Sequence, residues 1–399
     1  MNDTADNRRA LSPFVERIAG RGAAAWALHV EAMAAKRGGE DVIVMSVGDP
    51  DFATPPRIVD AAVEALRGGD THYTPVVGRP SLRAAIARRH AARTGVNVDP
   101  DQVVILAGAQ NGLFACALCL TAPGDEVIVP VPMYVTYEAT IGASGARLVP
   151  VTCDAAGGFR PDVGRLEAAV TPRTRALFFA NPNNPTGVAM NRAELEAIAD
   201  LARRHNLWVV SDEVYADLVF DGEHVSIAAL PEMAERTVTV SSLSKSHAMP
   251  GWRSGWAIAP PVLVPHLANL ALCMLYGLPG FAQAAAEEAL TGSDGESLQM
   301  REDYRRRRDS VLQALGKVKG LRCLKPQAGM FLLADVRGTG LGSAEFAQSL
   351  YRAAGVSVLD AAPFGGADGF VRVSFSAGDE LLSEGCRRIA EFVAGLNSQ

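Results

Sequence analysis

The residues best suited to chemistry lie in SSLSKSHAMPGWRSGW, Ser241 to Trp256. Lys245 follows a run of small hydroxyl residues, and Arg253 comes shortly after. The flanking stretches TVTV and RSGWAIA read as buried strands. A lysine in a tight polar turn between two buried strands suits an amine that forms a Schiff base with a carbonyl cofactor. Ser242, Ser244 and Arg253 could then hold that cofactor's phosphate as hydroxyl donors and a fixed cation. A surface loop carrying an ordinary lysine is the other reading, and the stretch alone does not choose between them.

Other polar clusters fall just after apolar strand-like runs. Gly108-Ala109-Gln110 follows QVVILA and opens a helical pattern, where free backbone N–H groups make an anion site; an ordinary small-residue turn is the alternative. Asn181 to Gly187, NPNNPTG, follows RALFFA. Its density of Asn and Pro fixes a rigid polar turn that can present an amide, for which Asn184 is the choice. Asp212 ends LWVVSDE, and a carboxylate at a buried strand end is costly unless it is paired. A protonated pyridine nitrogen would satisfy it, and Tyr215 could reach the phenolic oxygen of the same ring. A helix N-cap and a packed aromatic are the plainer readings of Asp212 and Tyr215.

These clusters need a scaffold that brings strand ends together. From Gln102 the pattern alternates: QVVILA, EVIVP, ARLVPV, RALFFA, LWVVSDE, TVTVSS and GWAIA read as strands, with helical patterns between most of them. Continuous apolar strands alternating with helices predict an α/β fold, a mostly parallel central sheet with helices on both faces. Ligands in such sheets bind beyond the carboxyl ends of the strands. Before this region, AAAWALHVEAMAAKRGG has helical spacing, DVIVMSV reads as a strand running into GDPDFATPP, and helices are expected around Arg57–Arg67 and Pro80–Arg93. After Pro279, long helical patterns and the strands MFLLAD and GFVRVSF suggest a smaller α+β domain. The expected division is an N-terminal arm with part of the small domain over 1–50, a large domain over 51–285 and a small C-terminal domain over 286–399.

Composition bounds the partners. The 399 residues are 48% hydrophobic and 21% charged, with a net charge of −6, as in a globular protein with a sizeable core. The only basic run, Arg305–Arg308, sits in a helical pattern and reads as a solvated face, so nucleic acid is not an expected partner. No apolar run reaches membrane-spanning length and no signal-peptide pattern opens the chain, so a cytoplasmic location is expected. Of six cysteines only Cys116 and Cys119 are close, within LFACALCL. They read as small apolar side chains of a buried helix, not as a metal or redox pair.

Taken together, SVGDPDF, HYTPVVG, GAQNGLF, NPNNPTG, SDEVY, SLSK with GWR, and FVRVSF resemble the class I pyridoxal-phosphate aminotransferases of fold type I, in order and spacing from Ile18 onward. The resemblance implies a role for each matching position. Lys245 holds pyridoxal 5'-phosphate through a Schiff base and shuttles the proton. Asp212 pairs with the pyridine nitrogen, and Asn184 and Tyr215 bond the phenolate oxygen. Gly108, Ala109, Gln110, Ser242, Ser244 and Arg253 cradle the phosphate, and Tyr134 stacks on the ring. Tyr73 reaches the phosphate of the neighbouring subunit, which implies a homodimer. Arg372 takes the substrate α-carboxylate, with Gly48 and Asn184 beside it. No metal is implied.

A narrower resemblance, carried chiefly by RIAGRGAAAW and LALCMLYG with support from PMYVTYEA, FDGEHVS and SLSKSHAM, is to the bacterial arginine:pyruvate transaminases. It implies L-arginine as donor and pyruvate as acceptor. Glu16 or Asp51 could then read the guanidinium, although either could equally be a solvated surface acid. Pro250 departs from the commoner pattern, which has threonine. Aspartate, aromatic or kynurenine specificity, or a carbon–sulfur lyase, would use the same Lys245 and Asp212. A transcription regulator with an aminotransferase-like ligand domain would need a basic DNA-binding module before Gly48, which the sequence does not offer.

Overall fold

The computed structural model describes residues 11–20 and 22–396. Strand β1 is Ile43–Val44. The strands β2 Val103–Ala107, β3 Glu126–Val131, β4 Arg147–Thr152, β5 Thr174–Ala180, β6 Trp208–Asp212, β7 Thr237–Ser242 and β8 Ser254–Ile258 form one seven-stranded sheet. Its order is β2-β8-β7-β6-β5-β3-β4. All neighbours are parallel except β8, which runs antiparallel to both β2 and β7. The inner strands are largely apolar because both faces are covered, while the edge strand β4 is mostly exposed or half-exposed. On β2, Val104 and Leu106 pack with the helix Ala109–Leu120. Val103 and Ile105 point the other way, against the helices Pro56–Arg67, Pro80–Thr94 and Gly280–Thr291. Cys116 is buried in the helix Ala109–Leu120 and Cys119 half-buried, as small packing side chains.

A second sheet holds β9 Arg322–Cys323, β10 Phe331–Asp335, β12 Leu359–Asp360 and β13 Phe370–Ser374 in the antiparallel order β12-β13-β10-β9. Helices Gly295–Leu315, Ser343–Ala354 and Asp379–Leu396 pack their apolar faces on it. β1 pairs in parallel with β11, Val356–Ser357, and Ile43 and Met45 enter the same core. The segment leading to Gly48 is thereby sewn into the second lobe, while the residues it must approach belong to the first.

Two expectations change here. The helical pattern AAAWALHVEAMAAKRGG is split into Gly22–Ala25 and Ala27–Arg37, with Trp26 at the break. The run Arg305–Arg308 is not a solvated face. Arg305 and Arg306 are exposed, but Arg307 and Arg308 are buried. Arg308 donates to Asp221 at 2.7 Å and to the Pro326 carbonyl at 3.0 Å, with its guanidinium over Phe220. Arg307 donates to Asp51 at 2.7 Å and lies over Phe52. These two arginines can join Tyr304 and Val311 on the buried face of the helix, because the planar guanidinium finds carboxylates and ring faces there. Among the described residues no helix is long and apolar enough to cross a membrane.

Candidate active site

The carboxyl ends of β2, β5, β6 and β7 meet the Gly48 segment and β13 around a cavity of about 220 Å³. Most of the residues singled out in the sequence line it: Gly48, Ala109, Gln110, Tyr134, Asn184, Asp212, Tyr215, Ser242, Ser244, Lys245, Arg253 and Arg372. Gly108 is the N-cap of the helix Ala109–Leu120, whose first N–H groups have no partner within the helix. Its φ of 80° is left-handed, and a Cβ there would run into Arg253 Nη2. Gly255 is equally constrained, because a Cβ on it would overlap the Gly108 backbone. These two glycines let Arg253 reach across the strand ends, where it donates to the carbonyls of Pro250 at 2.7 Å and Ala107 at 3.2 Å. The Gln110 side chain is occupied elsewhere: it accepts from Thr136 at 2.7 Å and donates to Thr140 at 2.9 Å. Its backbone N–H at the helix start is the donor best placed to face an anion.

Lys245 follows the turn after β7, and its Nζ donates to the Gly48 carbonyl at 2.6 Å. Burial pushes its pKa down to about 8. The free amine, the nucleophilic form, is therefore far more populated near neutral pH than for an ordinary lysine, although the ammonium still predominates. Asp212 closes the floor of the cavity, and burial raises its carboxyl to about 6. It accepts from the Val214 N–H at 3.2 Å and the Tyr137 hydroxyl at 3.0 Å. Among the described residues no cation pairs with it. Tyr134 stands edge-on to Tyr137 at 5.9 Å between centroids, and Tyr215 edge-on to Phe331 at 5.4 Å. Both phenols are raised, chiefly by burial.

On the opposite wall, Arg372 on β13 is 2% exposed. It donates to Asn184 Oδ1 at 3.0 Å and to the Ser46 carbonyl at 2.8 Å, and its Nε has no partner. Trp26, Phe331 and Phe364 surround it, with centroids at 5.7, 5.1 and 5.2 Å from Cζ. Burial pushes its pKa down to about 10, and among the described residues no carboxylate pairs with it. A cation held in this way lacks an anion.

Three sequence-predicted residues lie elsewhere. Tyr73 is 85% exposed and packs on Tyr276 at 4.8 Å, away from this cavity. Asp51 is held by Arg307, and Glu16 sits exposed on the short helix Phe14–Arg17. Two residues that sequence reasoning passed over belong to the site. Tyr137 buttresses Asp212, and its position one helical turn beyond Tyr134 in PMYVTYEA was the available signal. Trp26 lines the cavity, and the signal there was a lone tryptophan among alanines.

A half-buried lysine between a lone anion and a lone cation, at the strand ends of a largely parallel sheet with a second α+β lobe, is the arrangement of the fold-type-I transferases. The family model for class I and II aminotransferases matches residues 40–389, and the chain belongs to that family. It is 54% identical over 389 residues to the arginine–pyruvate transaminase AruH of Pseudomonas aeruginosa, covering 97% of this chain and 99% of that protein. An aspartate/prephenate aminotransferase of Cereibacter sphaeroides is 37% identical over 372 residues, covering 90% of this chain and 93% of its own. The solved aspartate aminotransferase from Thermus thermophilus with maleate superposes with a TM-score of 0.92 at 36% identity, over 96% of this chain and 100% of that one.

Proposed function

We propose that this chain is a pyridoxal-phosphate-dependent aminotransferase that moves the α-amino group of L-arginine to pyruvate. The carrying observation is the pair of uncompensated buried charges, Asp212 and Arg372, either side of Lys245. The residues fit the cofactor. Asp212 is a desolvated carboxylate with room for one cationic partner, as a protonated ring nitrogen would be. Arg253, Ser242, Ser244 and the helix start at Ala109 offer donors to a phosphate. Asn184 and Tyr215 offer an amide and a phenol to the ring oxygen, and Tyr134 offers a flat face.

Bound there, pyridoxal phosphate supplies an aldehyde that condenses with amines and a protonated ring that withdraws electrons. Lys245 is the amine that would hold it, and the base that moves the α-proton once the substrate amine takes its place. The fall of its pKa toward neutrality favours both roles. Asp212 would keep the ring nitrogen protonated, and Tyr137 and the Val214 N–H hold that carboxylate in one orientation. Arg372 receives the α-carboxylate of donor and acceptor alike, so both half-reactions use one receptor. Pyruvate needs nothing more than Arg372 and a small pocket. The choice of arginine rests on the relationship to AruH. Tyr73, exposed and ring-stacked, is assigned to the neighbouring site of a homodimer.

The test is a panel of initial rates with pyruvate for arginine, aspartate, alanine, kynurenine and phenylalanine. Arginine is expected to lead. If aspartate or an aromatic donor exceeds it in kcat/KM by about tenfold, or about 1.4 kcal/mol of transition-state binding, the donor is wrong while the aminotransferase reading stands.

A further inference from the structure

We infer that Trp26 is the residue that reads the donor side chain, offering its ring face to the substrate guanidinium; this rests on the arginine reading above. A guanidinium entering a half-buried site needs a carboxylate or an aromatic face. The carboxylates suggested by the sequence do not serve: Asp51 is held by Arg307 at 2.7 Å, and Glu16 does not line the cavity. Among the described residues Asp212 is the only carboxylate in the cavity wall, and it lies at the floor. Once the residues facing cofactor and α-carboxylate are set aside, the wall toward the Gly48 segment is Trp26, Val47 and Pro250. Of these only Trp26 carries a π face.

That ring already receives a guanidinium, since Arg372 Cζ lies 5.7 Å from its centroid. The substrate's own carboxylate neutralises Arg372, so the ring does not face two uncompensated cations. The ring is also fixed in place. His29 meets it edge-on at 5.4 Å and is itself tied to Ser46 Oγ at 2.9 Å. The Ser46 carbonyl accepts from Arg372 at 2.8 Å. Carboxylate receptor and ring are therefore built on the same residue, at a set separation. Burial and the Arg372 charge lower the pKa of His29, which keeps a competing cation off the ring. The rival is Asp49, exposed beside Gly48, whose charge reaches both Lys245 and His29.

The experiment compares L-arginine with L-citrulline, its uncharged analogue of similar shape, as donors to pyruvate for the holoenzyme. The parent, Trp26→Phe, Trp26→Leu and Asp49→Asn are measured side by side. The arginine/citrulline ratio of kcat/KM is expected to fall about tenfold in Trp26→Leu, the size of a partly desolvated cation–π contact. It should be largely kept in Trp26→Phe and unchanged in Asp49→Asn. Tryptophan emission should respond to arginine more than to citrulline in the parent, and lose that difference in Trp26→Phe. A structural role would lower both donors together and leave the ratio, which overturns the inference. So does a ratio abolished by Asp49→Asn alone. A parent that does not favour arginine over citrulline overturns the donor reading, and the role of Trp26 with it. A parent that does favour it, with the ratio intact in Trp26→Leu, overturns the role alone.

Discussion

Asp212→Asn should make the cofactor-free protein more stable while disabling it. Burial holds this carboxyl at about 6 against an ordinary 3.8. The folded chain thus keeps a proton through the window from 3.8 to about 6 that the unfolded chain has already released. Where the folded state binds more protons, stability falls as pH rises, so the loss begins near 3.8 and is complete above about 6. Two pH units at about 1.4 kcal/mol each put the loss at about 3 kcal/mol. Asparagine imitates the protonated acid. Its Oδ1 can accept from the Val214 N–H and its Nδ2 can donate to the Tyr137 oxygen, so both contacts are kept, the second with its direction reversed. The variant should match its parent at the acid end of that window and exceed it by up to about 3 kcal/mol above it. Denaturant midpoints of the two cofactor-free proteins across that window measure this directly. Turnover of the loaded variant should fall by about 10²–10³, the range for removing one preorganised electrostatic group. A variant no more stable than its parent above pH 6, or a difference that ignores pH, would refute the claim that Asp212 is an unpaired buried anion.

Four further outcomes follow from the same geometry. Tyr137→Phe removes a donor from Asp212, so the folded carboxyl should rise above about 6 and the stability loss should extend to higher pH, read by the same midpoints. Lys245→Ala should cut turnover by at least about 10²–10⁴, the usual reach of acid–base catalysis alone, while equilibrium dialysis still detects cofactor held at its phosphate; unchanged turnover would remove Lys245 from the mechanism. Arg372→Lys should lower kcat/KM for every α-amino acid donor alike, by about 2–5 kcal/mol of transition-state binding, because ammonium lacks the planar fork; a defect limited to one side-chain class would make Arg372 a side-chain reader. Arg308→Ala should destabilise by less than the roughly 3–5 kcal/mol of breaking a fully buried pair in a denaturant titration, because Asp221 is 39% exposed and retains Lys325 at 3.1 Å; the arginine/citrulline ratio of the folded fraction should not move.

Much of this was legible because the chemistry sits at strand ends. Gly108, Asn184, Asp212 and Lys245 each follow a continuous apolar run, and such runs signal a covered parallel sheet from the sequence alone. The illegible parts depend on tertiary partners. Helical spacing puts Arg308 on the face of Met300, Tyr304, Val311 and Leu315, but the partners that let a guanidinium stay there, Asp221 and Phe220, are far away in the chain. β1, β9, β11 and β12 are two residues each, too short for any periodicity to register. Asp51 read as a free acid because its arginine arrives from the helix Gly295–Leu315. Tyr137 escaped notice because its part in the site is a single hydroxyl contact to Asp212, 75 residues along the chain on β6.

The pairing of β1 with β11 has a consequence for how the protein is made. Ser46 and Ser357, whose hydroxyls meet at 3.0 Å, are 311 residues apart. The seven-stranded sheet is contained between Val103 and Ile258, so it can form on the ribosome while the partner of β1 is still unsynthesised. Until then Ile43 and Met45 remain uncovered apolar side chains near the start of the nascent chain, a natural target for a holding chaperone. The Ser46 carbonyl that orients Arg372 reaches its place in the last stage of assembly, since that contact spans 326 residues. Closing so long a loop is slow, and catalytic competence should therefore lag behind the appearance of helix and sheet during refolding.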